Sequence, residues 1–111
     1  QGPRQVWING QLHEASLVLP WQGAVQPWPV ATLNELTTMH FEQVAALKPE
    51  LVIFGSGARL QFIAPALYRV LIDARVGMET MDTAAACRTY NVLASEGRSV
   101  VAALILGPLG S

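Results

Sequence analysis

The residues with the most chemical potential fall at two points where apolar runs end. Gly55-Ser56-Gly57 closes the run Leu51-Val52-Ile53-Phe54, and Asp82-Thr83 closes the stretch from Val76 to Met81. Where a strand feeds a helix, the first backbone N–H groups and the helix dipole can hold an anion, and glycine lets a ligand approach the backbone. If the two strands are neighbours, both junctions open at the carboxyl edge of one sheet, where open α/β folds place ligands. Gly55, Ser56, Gly57, Asp82, Thr83, Arg88 and Asn91 together make the candidate set for a pocket that takes a small anion or metabolite. Thr83, Cys87 and Asn91 recur at every fourth position, so they share one helical stripe. That stripe either lines a pocket floor or bonds to neighbouring backbone in the core. The glycines and Asp82 have a plainer use as well, as a tight turn and a helix cap.

Other chemistries fit less well. The dinucleotide pattern Gly-x-Gly-x-x-Gly fails at its third glycine, where Leu60 stands, although Glu79 lies about 20 residues on, where an acidic ribose ligand would sit. No Gly-Lys-Ser/Thr phosphate loop occurs. A thiolate nucleophile at Cys87 needs a base or positive charge beside it. Arg88 is next in sequence, but successive helical residues point about 100° apart. Cys87 with Ala84, Ala86 and Leu93 reads as a small buried helix face. His13 and His40 have no second ligand at helical spacing, so each is expected to be exposed or locally bonded. No metal, cofactor or catalytic constellation is expected.

The elements that must position these residues can be read from hydrophobic spacing. Val6-Trp7-Ile8 precedes Asn9-Gly10, a strong hairpin-turn dipeptide, and Glu14 to Leu19 reads as the return strand, ended by Pro20. Residues 20–34 read as loop, with Trp28 in a short strand. Thr37 or Thr38 caps a helix through Met39 to Leu47, which Lys48-Pro49 stops. Leu51–Phe54 is a strand buried on both faces. A helix is expected from Ala58 or Leu60 to Ala74, with Pro65 in its first turns. Val76–Met81 is a second strand and Asp82 caps a helix to about Ser95. Gly97 then takes the left-handed position, and Ser99–Leu106 is the last strand. Glu96 or Arg98 is set to pair with Arg88. The alternation in the second half predicts an α/β fold with a parallel or mixed sheet, an N-terminal hairpin, and right-handed crossovers.

Composition limits the partners. A chain of 111 residues has room for one domain, here 1–106, while Gly107-Pro108-Leu109-Gly110-Ser111 reads as a tail or cloning remnant. Hydrophobic residues make up 51% and charged residues 14%, so much of the surface is neutral or apolar, which hints at association. Net charge is −1 with the basic residues scattered, so no positive groove for nucleic acid is in prospect. The single cysteine excludes an internal disulfide and a cysteine zinc cage. No run reaches the ~20 apolar residues that cross a bilayer. Gln1-Gly2-Pro3-Arg4 has no signal-peptide character, which points to the cytoplasm for a bacterial protein.

The stretch Glu79-Thr80-Met81-Asp82-Thr83 through Ala86-Cys87-Arg88-Thr89-Tyr90-Asn91-Val92-Leu93, then Ser95-Glu96-Gly97-Arg98 and Val101-Ala102-Ala103-Leu104, resembles the domain-of-unknown-function family 498, also called the Mth-938-like family. Gly55-Ser56-Gly57 falls where that family has a Gly-x-Gly turn, and the Pro20 and Trp28 region also fits. The resemblance covers nearly the whole chain. It implies a three-layer α/β domain whose mixed central sheet has one strand antiparallel to the rest. It also implies kinship with a mitochondrial assembly factor of respiratory complex I, and so a protein partner and a non-catalytic role. The alternative function is binding or turnover of a small anionic metabolite at the carboxyl edge.

Overall fold

The computed structural model describes residues 5–8 and 10–106; the expectations for the Asn9 turn, the N-terminal Gln1-Gly2-Pro3-Arg4 and the 107–111 tail lie outside them. A hairpin of β1 (Val6–Ile8) and β2 (Gln11–His13) stands beside a five-stranded sheet. That sheet has the order β4-β3-β7-β5-β6, with β3 Leu17–Leu19, β4 Gln26–Pro27, β5 Leu51–Gly55, β6 Gly77–Met81 and β7 Val100–Leu104. β5 pairs parallel with both β6 and β7, and β3 pairs antiparallel with β7 and β4. The sheet is mixed, and β3 is its one reversed strand.

β7 lies at the centre, and every one of its residues is buried. Covering from both faces is why Val100 to Leu104 read as an unbroken apolar run instead of an alternation. On one face, α1 (Thr38–Ala45) and α2 (Arg69–Asp73) bury Phe41, Val44 and Leu71 against Val52, Phe54, Val101 and Ala103. On the other, α3 (Thr83–Ser95) lays Ala86 and Tyr90 on Ile53, Val100, Ala102 and Leu104. Helix, sheet, helix: three layers.

The ends of α3 follow local rules. The Asp82 carboxylate accepts the Ala85 N–H at 2.8 Å, an N-cap. At the other end Gly97 has φ 81°, and the N–H groups of Gly97 and Arg98 return to the carbonyls of Ala94 and Leu93. Those two bonds are a Schellman closure, and the left-handed residue it needs is the glycine. α1 begins after Thr37, whose N–H donates to His40 Nδ1 at 3.0 Å. That bond leaves the ring proton on Nε2, which donates to the Pro29 carbonyl at 3.1 Å.

Three expectations need correction. The partner of β1 is Gln11–His13, in register Val6 with His13, and Glu14–Ser16 breaks the chain before Leu17–Leu19 enters the main sheet. The expected single strand from Glu14 to Leu19 is therefore a break followed by a strand of another sheet. The helix expected from residue 58 or 60 is an irregular segment to residue 64, a 3-10 turn at Pro65–Tyr68 and the single turn of α2. The Ser56 hydroxyl explains this: it donates to the Arg59 carbonyl at 2.8 Å and accepts the Gln61 N–H at 3.0 Å, so the backbone is tied locally instead of along a helix. Trp28 lies just past β4, not within a strand, and its N–H reaches the Ser16 carbonyl at 3.1 Å.

Candidate functional site

Five of the seven candidate residues meet where β5 and β6 end and α3 begins. Gly55 is the closest approach. A Cβ there would lie 2.9 Å from Thr83 Oγ1 and 3.0 Å from Thr83 Cα, so only glycine lets the start of α3 come this near the strand. Thr83 is wholly buried. Its hydroxyl donates to the Ile105 carbonyl at 2.9 Å and accepts the Gly57 N–H at 2.9 Å. The Thr83 N–H in turn donates to the Gly57 carbonyl at 2.9 Å. One threonine thus joins the ends of β5, β7 and α3.

Ser56, also fully buried, donates its N–H to the Met81 carbonyl at 2.8 Å. Its hydroxyl holds the 57–64 segment as described above. The turn opens into that segment and not into a helix, so the dipole expected after Gly57 is absent at this point. Asp82 belongs to the same cluster through its cap on Ala85. Among the described residues no buried side-chain nitrogen or oxygen lacks a partner. Polar groups that face one another in this way form a latch.

Arg88 and Asn91 do not join this cluster; both are exposed on α3. Asn91 lines a different region, an open cleft of about 1140 Å³ walled by the hairpin and the 14–27 segment. Tyr90 lines it too, and its hydroxyl donates to the Pro20 carbonyl at 2.7 Å. Burial pushes the Tyr90 phenol up from its ordinary value, which keeps it a donor. The Thr83–Cys87–Asn91 stripe therefore runs from core to surface instead of flooring one pocket.

Burial also pushes the Cys87 thiol up, outweighing the Arg88 charge, which pulls the other way. A raised thiol is a poor nucleophile near neutral pH. Arg98 pairs with Glu50, Nε to Oε2 at 3.0 Å, instead of Arg88, which corrects the expected charged turn. Ser99 donates its N–H and hydroxyl to the other Glu50 oxygen, and these bonds, with Arg98, hold the exposed carboxyl below its ordinary range. Among the described residues no group of three or more His, Cys, Asp or Glu is placed to hold a metal, and no helix is long and apolar enough to cross a membrane.

Two positions that hold the surroundings of the site carried little or no signal in the sequence. Ser16 accepts the Leu106 N–H on its hydroxyl at 2.8 Å, and a serine before an apolar run has no spacing to mark it. His40 gives its carbonyl to the Trp28 indole N–H at 3.0 Å, where the tryptophan's need for a partner was the only hint.

Comparison with known proteins fits this architecture. A family model described as a protein of unknown function (DUF498/DUF598) matches residues 1–105. The bovine NADH dehydrogenase (ubiquinone) 1 alpha subcomplex assembly factor 3 is 34% identical over 106 residues, 94% of this chain and 57% of the bovine protein. An uncharacterised protein of Rhodobacter capsulatus is 35% identical over 112 residues, 96% of this chain and 82% of its own length. The chain spans little more than half the length of the bovine and human assembly factors, 57% and 59%. A crystal structure from Bordetella parapertussis superposes with TM-score 0.88 at 37% identity, covering 94% of this chain and 89% of that one. A solution structure from Bordetella pertussis, described as a Mth938-like domain, gives TM-score 0.82 at 30% identity over 96% of this chain and 83% of its own. Matched from its first residue through the end of its central strand, the chain belongs to the DUF498 family and has the Mth938-like fold.

Proposed function

We propose that this protein is a non-catalytic binding module that works through contacts with other proteins, in the cytoplasm if its source is bacterial, and that it assists assembly of respiratory complex I. The observation that carries this reading is the 57–64 segment, held in shape by Ser56, on which Phe62 is 77% and Leu60 51% exposed. Large apolar side chains presented on a fixed loop are the usual anchors of a protein interface. The assembly-factor relatives supply the direction: they are proteins named for helping a complex form.

The competing reading is an anionic metabolite at Gly55, Ser56, Gly57, Asp82 and Thr83, without the Arg88 and Asn91 that the sequence also offered. A ligand there would have to displace the bonds between Gly57, Thr83 and Ile105, each of which satisfies a buried group. That cost favours protein contacts. A metabolite that raises the melting temperature of the wild type but not of Asp82→Ala would reverse the preference.

The test is affinity capture with in-cell crosslinking, wild type against Phe62→Ser, in a host that makes complex I. NADH dehydrogenase subunits are expected with the wild type and about tenfold less with the variant, the scale of an interface anchor. Equal recovery by both would remove this surface from the interface. No such subunit with either bait would remove the assembly role.

A further inference from the structure

The five-stranded sheet ends in two unlike edges. β4 is two residues long and includes Pro27, which has no N–H to offer a further strand. β6 runs five residues without proline, and among the described residues no strand lies beyond it. Within a strand the N–H and C=O of one residue point to the same side, and the side alternates along the chain. The Met81 carbonyl accepts the Ser56 N–H at 2.8 Å, and the parallel register sets Gly55 against Met81 and Ile53 against Glu79. Gly77, Glu79 and Met81 therefore turn their backbone groups toward β5. Met78 and Thr80 turn theirs outward, two donors and two acceptors in a row. Along this rim Gly77 and Glu79 are exposed and Met78, Thr80 and Met81 half-buried, so the strand's one charge sits in its middle.

We propose that the outer edge of β6 takes up an extended segment of a different protein by strand addition, and that this segment carries a lysine or arginine opposite Glu79. The proposal rests on the protein-binding reading above and gives it a docking edge. Main-chain bonds to Met78 and Thr80 supply affinity, and the pair with Glu79 supplies selection. A second copy of this chain fits the edge less well. Two identical strands meet antiparallel about a two-fold axis normal to the sheet. The register that uses all four outward groups sets Met78 against Thr80 of the other copy, and so sets Glu79 directly against Glu79. Like charges opposed at a Cα separation of about 4.5 Å repel.

The test titrates isotope-labelled protein with an end-capped peptide of about ten residues, alternating threonine and valine around one central lysine, and with its glutamate counterpart. The expected result is amide shifts confined to residues 76–82, with the lysine peptide binding roughly fivefold more tightly at low salt. Glu79→Lys should invert that preference. Thr80→Pro removes an outward N–H that has no partner among the described residues, and should abolish binding without lowering the melting temperature. Should Thr80→Pro unfold the chain, the Glu79→Lys inversion still decides the matter. Shifts elsewhere on the surface, or affinity indifferent to the charge at position 79, overturn the proposal. So does a dimer in sedimentation that Thr80→Pro dissolves, because the occupant is then a second copy. If Thr80→Pro and Glu79→Lys baits capture the same Phe62-dependent partners as the wild type, the edge is wrong and the binding module survives. If the peptide binds at β6 while no bait captures a partner, the edge survives and the assembly role does not.

Discussion

The two faces of the sheet are held by different means. On the α1 and α2 face the aromatic rings of Trp28, Phe41 and Phe54 meet edge to face, with centroids 5.6 to 6.1 Å apart. Large side chains fill that layer, and its contact with the sheet is made of area and ring geometry. On the α3 face Ala86 and Ala102 pack among aliphatic side chains and Tyr90, and a buried threonine bonded to two backbone groups fixes the start of the helix. One face is filled and the other is latched. The difference bears on function, because most of the polar residues that looked chemical in the sequence belong to the latch.

This contrast can be broken by experiment. The largest effect is expected from Phe41→Ala, which empties the filled face and should cost about 3–5 kcal/mol in urea unfolding. A value near 1 kcal/mol would mean that the ring cluster is loosely packed. Next comes Thr83→Val, equal in volume but without the hydroxyl, which strands the Gly57 N–H and the Ile105 carbonyl. It should cost about 3 kcal/mol, whereas Thr83→Ser, which keeps the hydroxyl, should lose only about half as much. Equal losses from the two variants would show that volume rather than the latch holds this face.

The smallest effect belongs to the rim. Glu50 is exposed and its carboxyl is held below the ordinary value of 4.5, so its contribution is present above that pH and fades as pH falls through the lower folded value. The small gap in melting temperature between wild type and Glu50→Gln at neutral pH should therefore close in acid, and should shrink with salt. A gap that persists unchanged in acid would place the effect in packing rather than charge.

In the second half β5 and β7 were legible because they are buried on both faces, and such strands announce themselves as unbroken apolar runs. Asp82 and Gly97 were legible for a similar reason, since each does a job that depends only on local backbone. The helix after Gly57 was misread because Leu60 and Phe62 look like core residues, and nothing in the spacing reveals a serine hydroxyl that ties the backbone elsewhere. The first half was misread at Glu14, where the chain breaks between the hairpin strand Gln11–His13 and the main-sheet strand Leu17–Leu19. The candidate site was half legible. Proximity of Gly55 and Thr83 followed from the topology, but that the threonine itself fills the space above the glycine depends on how near α3 lies, a distance no sequence pattern carries.

One pairing described above bears on how the chain is made. β3, near the start, finds its hydrogen-bonding neighbour in β7, near residue 104, and Ser16 is bonded to Leu106. Contacts that span so much of the chain form late, after the entropy of closing a long loop has been met. On a ribosome, the segment from Leu17 to Leu19 can pair early only with β4, and its other edge must wait open until β7 is synthesised. The charged and polar stretch beside it, His13-Glu14-Ala15-Ser16, sits where a nascent chain would benefit from a guard against premature pairing.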